Sequence, residues 1–196
     1  MKKLGVLITA IAIFAFVGCK NEKKELDSVD GMNDSITMDT ETQKEPAKTL
    51  SVAMESKSGS SVKGEAYFSE EDGTVTFEAK FSGLKPGTHA IHLHEKADCS
   101  AEDATSAGGH WNPTHAKHGK WGDAEGYHKG DIGNFEAAAD GSGKISMQTD
   151  EWCLGCVDEN KNILGKAIIV HEGIDDFTTQ PTGDAGGRIS CGGIIK

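Results

Sequence analysis

Apolar runs long enough to cross a membrane are missing from the interior of this 196-residue sequence, whose one extended run, Leu4 to Val17, lies at the start behind Lys2 and Lys3. A spanning helix within the body of the chain is thereby excluded. Positive charge is also short: 20 Lys and Arg stand against 31 Asp and Glu, a net charge of −11, which excludes nucleic acid as a partner. Proline, with 4 residues, and aromatics, at 6%, are scarce, whereas 25 glycines are present. At this length, one globular domain of ordinary size is expected, with no second full domain. What stands out is a set of 8 histidines. An acidic protein can still serve a small anion if cations are focused at one site, so the histidines are the place to look for a local positive centre.

The apolar run closes on Phe16-Val17-Gly18-Cys19. A small residue before cysteine at the end of an export signal resembles the lipobox of bacterial lipoproteins, which makes Cys19 the acylated first residue of the mature chain. Residues 1–19 are too short for a spanning helix and lead straight into the charged Lys20-Asn21-Glu22-Lys23-Lys24-Glu25. Without them, 18 basic side chains face 31 acidic ones, for −13. Residues 20–48 carry eight acids, five lysines and no aromatic. That is too little apolar area to offset the entropy of ordering, so the segment reads as a disordered polar tether. The expected location is extracytoplasmic, lipid-anchored at the bacterial envelope, in the periplasm or on the cell surface. Disulfides persist in such a compartment.

From Thr49 onward the pattern is strand and turn. Val75, Phe77, Ala79 and Phe81 alternate with Thr74, Thr76, Glu78 and Lys80, the period of a half-buried strand. Further apolar stretches fall at Leu50 to Met54, Ala66 to Phe68, Ile91 to His94, Ile145 to Met147, Ile163 to Val170 and Ile189 to Ile195, with glycine-bearing turns between them. No convincing amphipathic helix appears, so an all-β barrel or sandwich follows. The segment from Lys96 to about Asn134 has no strand period and is too long for an idle connection.

In Ala90-Ile91-His92-Leu93-His94 both histidines fall on one strand face and the aliphatics on the other, so two imidazoles can reach one metal ion. His110, His118 and His128, Asp131 three residues after His128, and His171 add donors. Six histidines and one carboxylate exceed the needs of one tetrahedral ion. Two metals sharing a bridging imidazole is the economical explanation. His89, on the opposite strand face from His92, is expected to be a structural histidine, and His115 to face solvent.

The stretches His92-Leu93-His94-Glu95, Ser106 to Pro113, Lys117-His118-Gly119, His128 to Asn134, Val170-His171-Glu172 and Gly187 to Gly192 resemble those of copper/zinc superoxide dismutases in order and spacing. The resemblance covers residues 49–196 and implies an eight-stranded Greek-key barrel or sandwich with two long functional loops. It implies copper at His92, His94, His110 and His171, and zinc at His110, His118, His128 and Asp131, with His110 as the bridge. The implied activity is dismutation of superoxide to oxygen and hydrogen peroxide, with His110 exchanging a proton as it leaves and rejoins copper. Asp175 matches the family's aspartate that hydrogen-bonds one copper histidine and one zinc histidine, here His92 and His118. Arg188 matches the arginine beside copper that attracts superoxide, against the plainer reading of a surface ion pair. The loop from His171 to Arg188 is shorter than in the animal enzymes, and its charges are Glu172, Asp175, Asp176 and Asp184, with no lysine.

The resemblance pairs Cys99 with Cys191 and leaves a homodimer open. Ten residues separate Cys99 from His110, an insertion relative to the animal pattern placed in Glu102 to Ser106. Cys153-Leu154-Gly155-Cys156 admits a local disulfide, a redox dithiol or half of a metal site; with no βαβ pattern and no second C-x-x-C, the structural bridge is favoured. Two rivals stand beside the enzyme reading: a non-catalytic copper/zinc-binding envelope lipoprotein on the same fold, and a binuclear hydrolase, which needs an open zinc position that four ligands would close.

Acylation of Cys19 predicts that the native protein partitions into detergent and that Cys19→Ala releases or mislocalises it. Wild-type protein recovered soluble after export would refute the anchor.

Overall fold

Residues Thr74–Ser82 form a strand whose side chains alternate strictly between solvent and interior, with Val75, Phe77, Ala79 and Phe81 buried, as their period predicts. Seven more strands join it in a computed structural model that describes residues 46–196. They are β1 (Lys48–Ser56), β2 (Lys63–Glu71), β3 (Thr74–Ser82), β4 (Gly87–His94), β5 (Gly133–Ala137), β6 (Gly143–Thr149), β7 (Ala167–His171) and β8 (Arg188–Gly193). The segment expected to direct export, Cys19 and nearly all of the expected tether lie outside the described residues. Among the described residues, no helix is long and apolar enough to cross a membrane.

All neighbouring strands pair antiparallel, in the order β1-β2-β3-β6-β5-β4-β7-β8, and β1 meets β8 to close the barrel. The pairings β3 with β6 and β4 with β7 skip over intervening strands, which is the Greek-key connection. Closure removes the open edges that would template pairing with another chain. The interior holds Phe68, Phe77, Ile91, Leu93, Ile168 and Val170, with Trp152 supplied from the β6–β7 connection. Phe68 and Phe77 rings lie 5.0 Å apart, and Trp152 meets Phe77 edge-on at 6.2 Å.

Two strands differ from the sequence reading. β5 carries only Phe135 and Ala137 inward, among Gly133, Asn134 and Glu136, so it offers too few apolar residues to mark itself. The apolar stretch from Ile163 becomes strand only at Ala167: Lys166 N–H closes a turn on Ile163 C=O at 3.2 Å, and Gly165 N–H bonds Ile194 C=O. β7 is buried at every position. Ile168 and Val170 enter the barrel, while Ala167 and Ile169 pack on its outside with Ala104, Ala107, Cys191 and Cys99. A strand covered on both faces reads as one continuous apolar run.

The two connections expected to be long are so, and a third, residues 150–166 between β6 and β7, matches the second of them in length. The first, residues 95–132 between β4 and β5, contains a single 3₁₀ turn, Thr105–Ala107, at the end of the inserted segment. The second, residues 172–187, joins β7 to β8. Cys99 and Cys191 form a disulfide across 92 residues of sequence and tie the first loop to β8, and Cys153 and Cys156 form a second, local one.

In the chain-entropy account, closing the longer loop stabilises by about 3 kcal/mol more than closing the short one. The paired variant Cys99→Ser with Cys191→Ser is therefore expected to melt at a clearly lower temperature than Cys153→Ser with Cys156→Ser. Equal losses in thermal unfolding would contradict that order.

Candidate metal centre

The site is assembled at one end of β4. Its alternation sends Ile91 and Leu93 into the barrel core and places His92 and His94 together on the outer side, both fully buried under the long loops. The chain returns beside β4 at residues 109–111. Glu95 N–H bonds Gly109 C=O at 3.0 Å, Trp111 N–H bonds Leu93 C=O at 2.8 Å, and His94 and His110 become cross-strand partners. A third pass adds Gly130, whose carbonyl accepts from Leu93 N–H at 2.8 Å. A Cβ on Gly130 would stand 2.3 Å from the Leu93 carbonyl oxygen, so only glycine lets this pass come close. β7 lies on the other side of β4 and ends in His171, where a register shift between Val170 and His171 turns the imidazole toward the site.

Two clusters result. His92, His94, His110 and His171 present one nitrogen each within 4.8 Å of one another, and so do the donor atoms of His110, His118, His128 and Asp131. His110 belongs to both. Its Nδ1 lies 2.9 Å from Asp131 Oδ1, and its Nε2 is buried without a hydrogen bond. Among the described residues, the only buried side-chain nitrogens or oxygens without a hydrogen-bond partner are His110 Nε2, His92 Nδ1, His118 Nδ1 and His128 Nδ1. Unpaired buried polar atoms are costly, and four that converge on two points fit cation sites rather than poor packing. His118 Nδ1 and His128 Nδ1 stand 3.0 and 3.3 Å from Asp131 oxygens without hydrogen-bond geometry, as donors around a common ion would.

The far nitrogens of these rings are anchored. His92 Nε2 donates to Asp175 Oδ2 at 2.8 Å, and His118 Nε2 donates to Asp175 Oδ1 at 2.9 Å, so one carboxylate spans the two clusters. His94 Nδ1 donates to Gly108 C=O at 2.9 Å and His171 Nδ1 to Gly186 C=O at 3.2 Å. Such contacts fix ring orientation and tautomer. Sequence reasoning missed two residues that support them. Asn134 pins the Asp175 backbone in both directions at 2.8 Å, and Gln180 brackets His118 by accepting from its N–H and donating to its C=O, each at 2.9 Å. Asn134 stands within a motif that carries the resemblance, but nothing in the sequence marks its partner. Gly183, at φ +68°, passes so close that a Cβ there would lie 1.9 Å from Asp175 Oδ1.

Electrostatics divides the rings into two kinds. Burial pushes His94 and His171 well below the usual imidazole range, assisted by neighbouring imidazoles and Arg188, and holds His110 down at about 4. These rings are neutral and have lone pairs to offer. Burial also lowers His118, but the carboxylates of Asp131 and Asp175 outweigh it and raise the ring to about 9. Burial by itself would raise Asp131 and Asp175, yet the surrounding imidazoles hold both far below the carboxylate range. Both acids are therefore held as carboxylates.

His89 is buried, with Nδ1 2.9 Å from His171 C=O and Nε2 2.8 Å from Lys85 C=O, and takes part in neither cluster; His115 is exposed. Arg188 pairs across the β7–β8 ladder with His171, and its Nη1 donates to Ala104 C=O at 2.7 Å. It lines a cavity of about 280 Å³ with His94, His171, Thr182, Asp184, Ala185 and Gly186.

A closed Greek-key barrel with two long loops folded over paired histidine clusters defines a metal-binding β-barrel protein. The chain matches the family model for copper/zinc superoxide dismutase (SODC) over residues 62–194, and it belongs to that family. It is 36% identical over 129 residues to the superoxide dismutase-like protein YojM of Bacillus subtilis (strain 168), a match covering 64% of this chain and about 65% of the relative's length. Among solved structures it is similar to a doubly histidine-substituted SOD-like protein from Bacillus subtilis, with TM-score 0.66 and 35% identity over 74% of this chain and 97% of that one. It is also similar to the clock protein EA4, with TM-score 0.64 and 31% identity over 75% and 94%.

Because Asp175 orients one ring of each cluster, Asp175→Ala is expected to weaken metal binding at both by roughly 10- to 100-fold. Chelator competition measures this, and an effect confined to one cluster would show that the carboxylate does not couple them.

Proposed function

We propose that the protein dismutates superoxide, converting two superoxide ions and two protons to oxygen and hydrogen peroxide. His92, His94, His110 and His171 would hold copper, an all-imidazole set suited to it; His110, His118, His128 and Asp131 would hold zinc in a closed four-ligand site. When bound, copper supplies reversible one-electron exchange with superoxide, and zinc supplies a fixed charge without redox change. One observation carries the catalytic reading over the non-catalytic metal-binding one: the four-histidine cluster opens onto a cavity whose wall includes Arg188. A storage site has no use for a cation at its mouth, whereas a small oxyanion needs one.

The residues divide the work. Arg188 is held by Ala104 and by its ladder position opposite His171, and attracts the anion at short range. Burial lowers its guanidinium somewhat, with Asp103 opposing, and it remains charged. His110 offers Nε2 to hold a proton and hand it to departing peroxide, while Nδ1, aimed at Asp131, keeps the ring in place. Asp175 keeps His92 and His118 from rotating. Asp184 lines the same cavity with the opposite sign from Arg188, so long-range guidance is weak here and the local cation has to suffice. Cys19 acylation and the tether would place this chemistry at the bacterial envelope, held to the membrane only through the lipid.

Metal analysis with a dismutation assay tests the reading: one copper and one zinc per chain, with activity, are expected. His171→Ala is expected to lose copper and activity and keep zinc; full activity in that variant would remove His171 from the site. Arg188→Glu is expected to slow dismutation strongly and Arg188→Lys less, neither with altered metal content. Because long-range fields are screened beyond about 10 Å at ~0.1 M salt, the wild type should respond weakly or inversely to salt, with Arg188→Glu gaining relatively more. Full activity of metal-replete Arg188→Glu would return the arginine to a structural role and favour the non-catalytic alternative.

A further inference from the structure

Among the histidines of the two clusters, His128 is held differently. His92, His94, His118 and His171 each fix the ring by a hydrogen bond from the nitrogen that faces away from the cluster, and His110 uses both nitrogens toward the clusters. His128 has its buried Nδ1 facing Asp131, and among the described residues no side chain or carbonyl is recorded anchoring its other nitrogen, on a ring that is 6% exposed. The ring's direction is therefore set by the backbone that carries it.

That backbone is gripped on both sides by the β6–β7 connection. Glu151 Oε1 accepts from Tyr127 Oη at 2.8 Å, and Glu151 Oε2 accepts from Lys129 Nζ, so one carboxylate bridges the residues before and after His128. The next residue, Trp152, donates its indole N–H to Lys129 C=O at 2.8 Å. Trp152 is 1% exposed and packs against Phe68, Phe77 and Trp121, and Trp121 in turn meets Tyr127 at 5.0 Å. Leu154 N–H bonds Glu70 Oε2 at 2.7 Å, and the Cys153–Cys156 disulfide closes the turn that follows Trp152. A rigid path thus runs from the barrel core and β2 to the two neighbours of one ligand.

We propose that Glu151 and Trp152 are positioning residues for His128, a clamp on the residues before and after it that sets where the ring stands. The clamp rests on the reading of His110, His118, His128 and Asp131 as a metal site, and acts on that cluster while leaving the four-histidine cluster alone. It also gives the C-x-x-C turn a purpose that its sequence does not disclose: bracing the residues that brace a ligand.

The test uses the full chain, stripped of metal, titrated with zinc against a chromogenic chelator, with copper in a parallel titration and cobalt(II) absorption as a report on ligand geometry. Glu151→Ala is expected to lower zinc affinity roughly tenfold and alter the cobalt spectrum. Glu151→Gln, which retains an acceptor for Tyr127, should recover part of the loss, and Trp152→Phe should resemble Glu151→Ala; copper affinity should hold throughout. Tyr127→Phe deletes one bond and no core volume, and serves if Trp152→Phe fails to fold. A purely structural role would lower the melting temperature of the metal-free variants with zinc affinity and cobalt spectrum unchanged, and that result overturns the clamp. A wild type that binds neither zinc nor cobalt would withdraw the metal reading and the clamp with it.

Discussion

Six imidazoles and two carboxylates share one buried volume, and the rest of the structure is arranged around keeping their nitrogens pointed at two places. Burying that many polar rings is favourable only when each has a partner. Inward nitrogens would find theirs in cations, and the outward nitrogens of His92, His94, His118 and His171 find theirs in Asp175 and the carbonyls of Gly108 and Gly186. The barrel supplies the stiffness this requires. β4 alone puts His92 and His94 in place, its neighbours β5 and β7 lock it, and the first long loop seats His110 by backbone bonds to β4.

The same demand explains the glycines at the close passes. Where three stretches of backbone meet over Leu93, and where the second loop crosses Asp175, a single methylene would force chains apart. A displacement of that size moves a ligand nitrogen out of range. Conformational freedom matters less here than thinness.

Much of this was legible beforehand. The period of Thr74–Ser82, the face shared by His92 and His94, and the excess of histidines over one ion's needs follow from residue spacing, and the resemblance supplied the pairing of Cys99 with Cys191 and the place of Asp175. Other parts were hidden for physical reasons. β5 has too few apolar residues to announce a strand, and the start of β7 is masked by Ile163, which is apolar because it caps the core from a turn. Asn134, Gln180 and Glu151 act on residues far along the chain, through contacts that only tertiary packing creates, and no local pattern records them.

The cross-strand pairing of His171 with Arg188 has a consequence of its own. The spacing between a ligand and the cation next to it is written in a rung of the sheet, while the residues that connect them serve other parts of the site, through Asp175 and Gln180. Such a connection can lose or gain length at its tip through descent without detuning that pair. The shortness of this loop is then a matter of what it admits to the cavity and what field it casts there, and an acid on the cavity wall such as Asp184 can change while the rung beneath and Asp175 stay fixed.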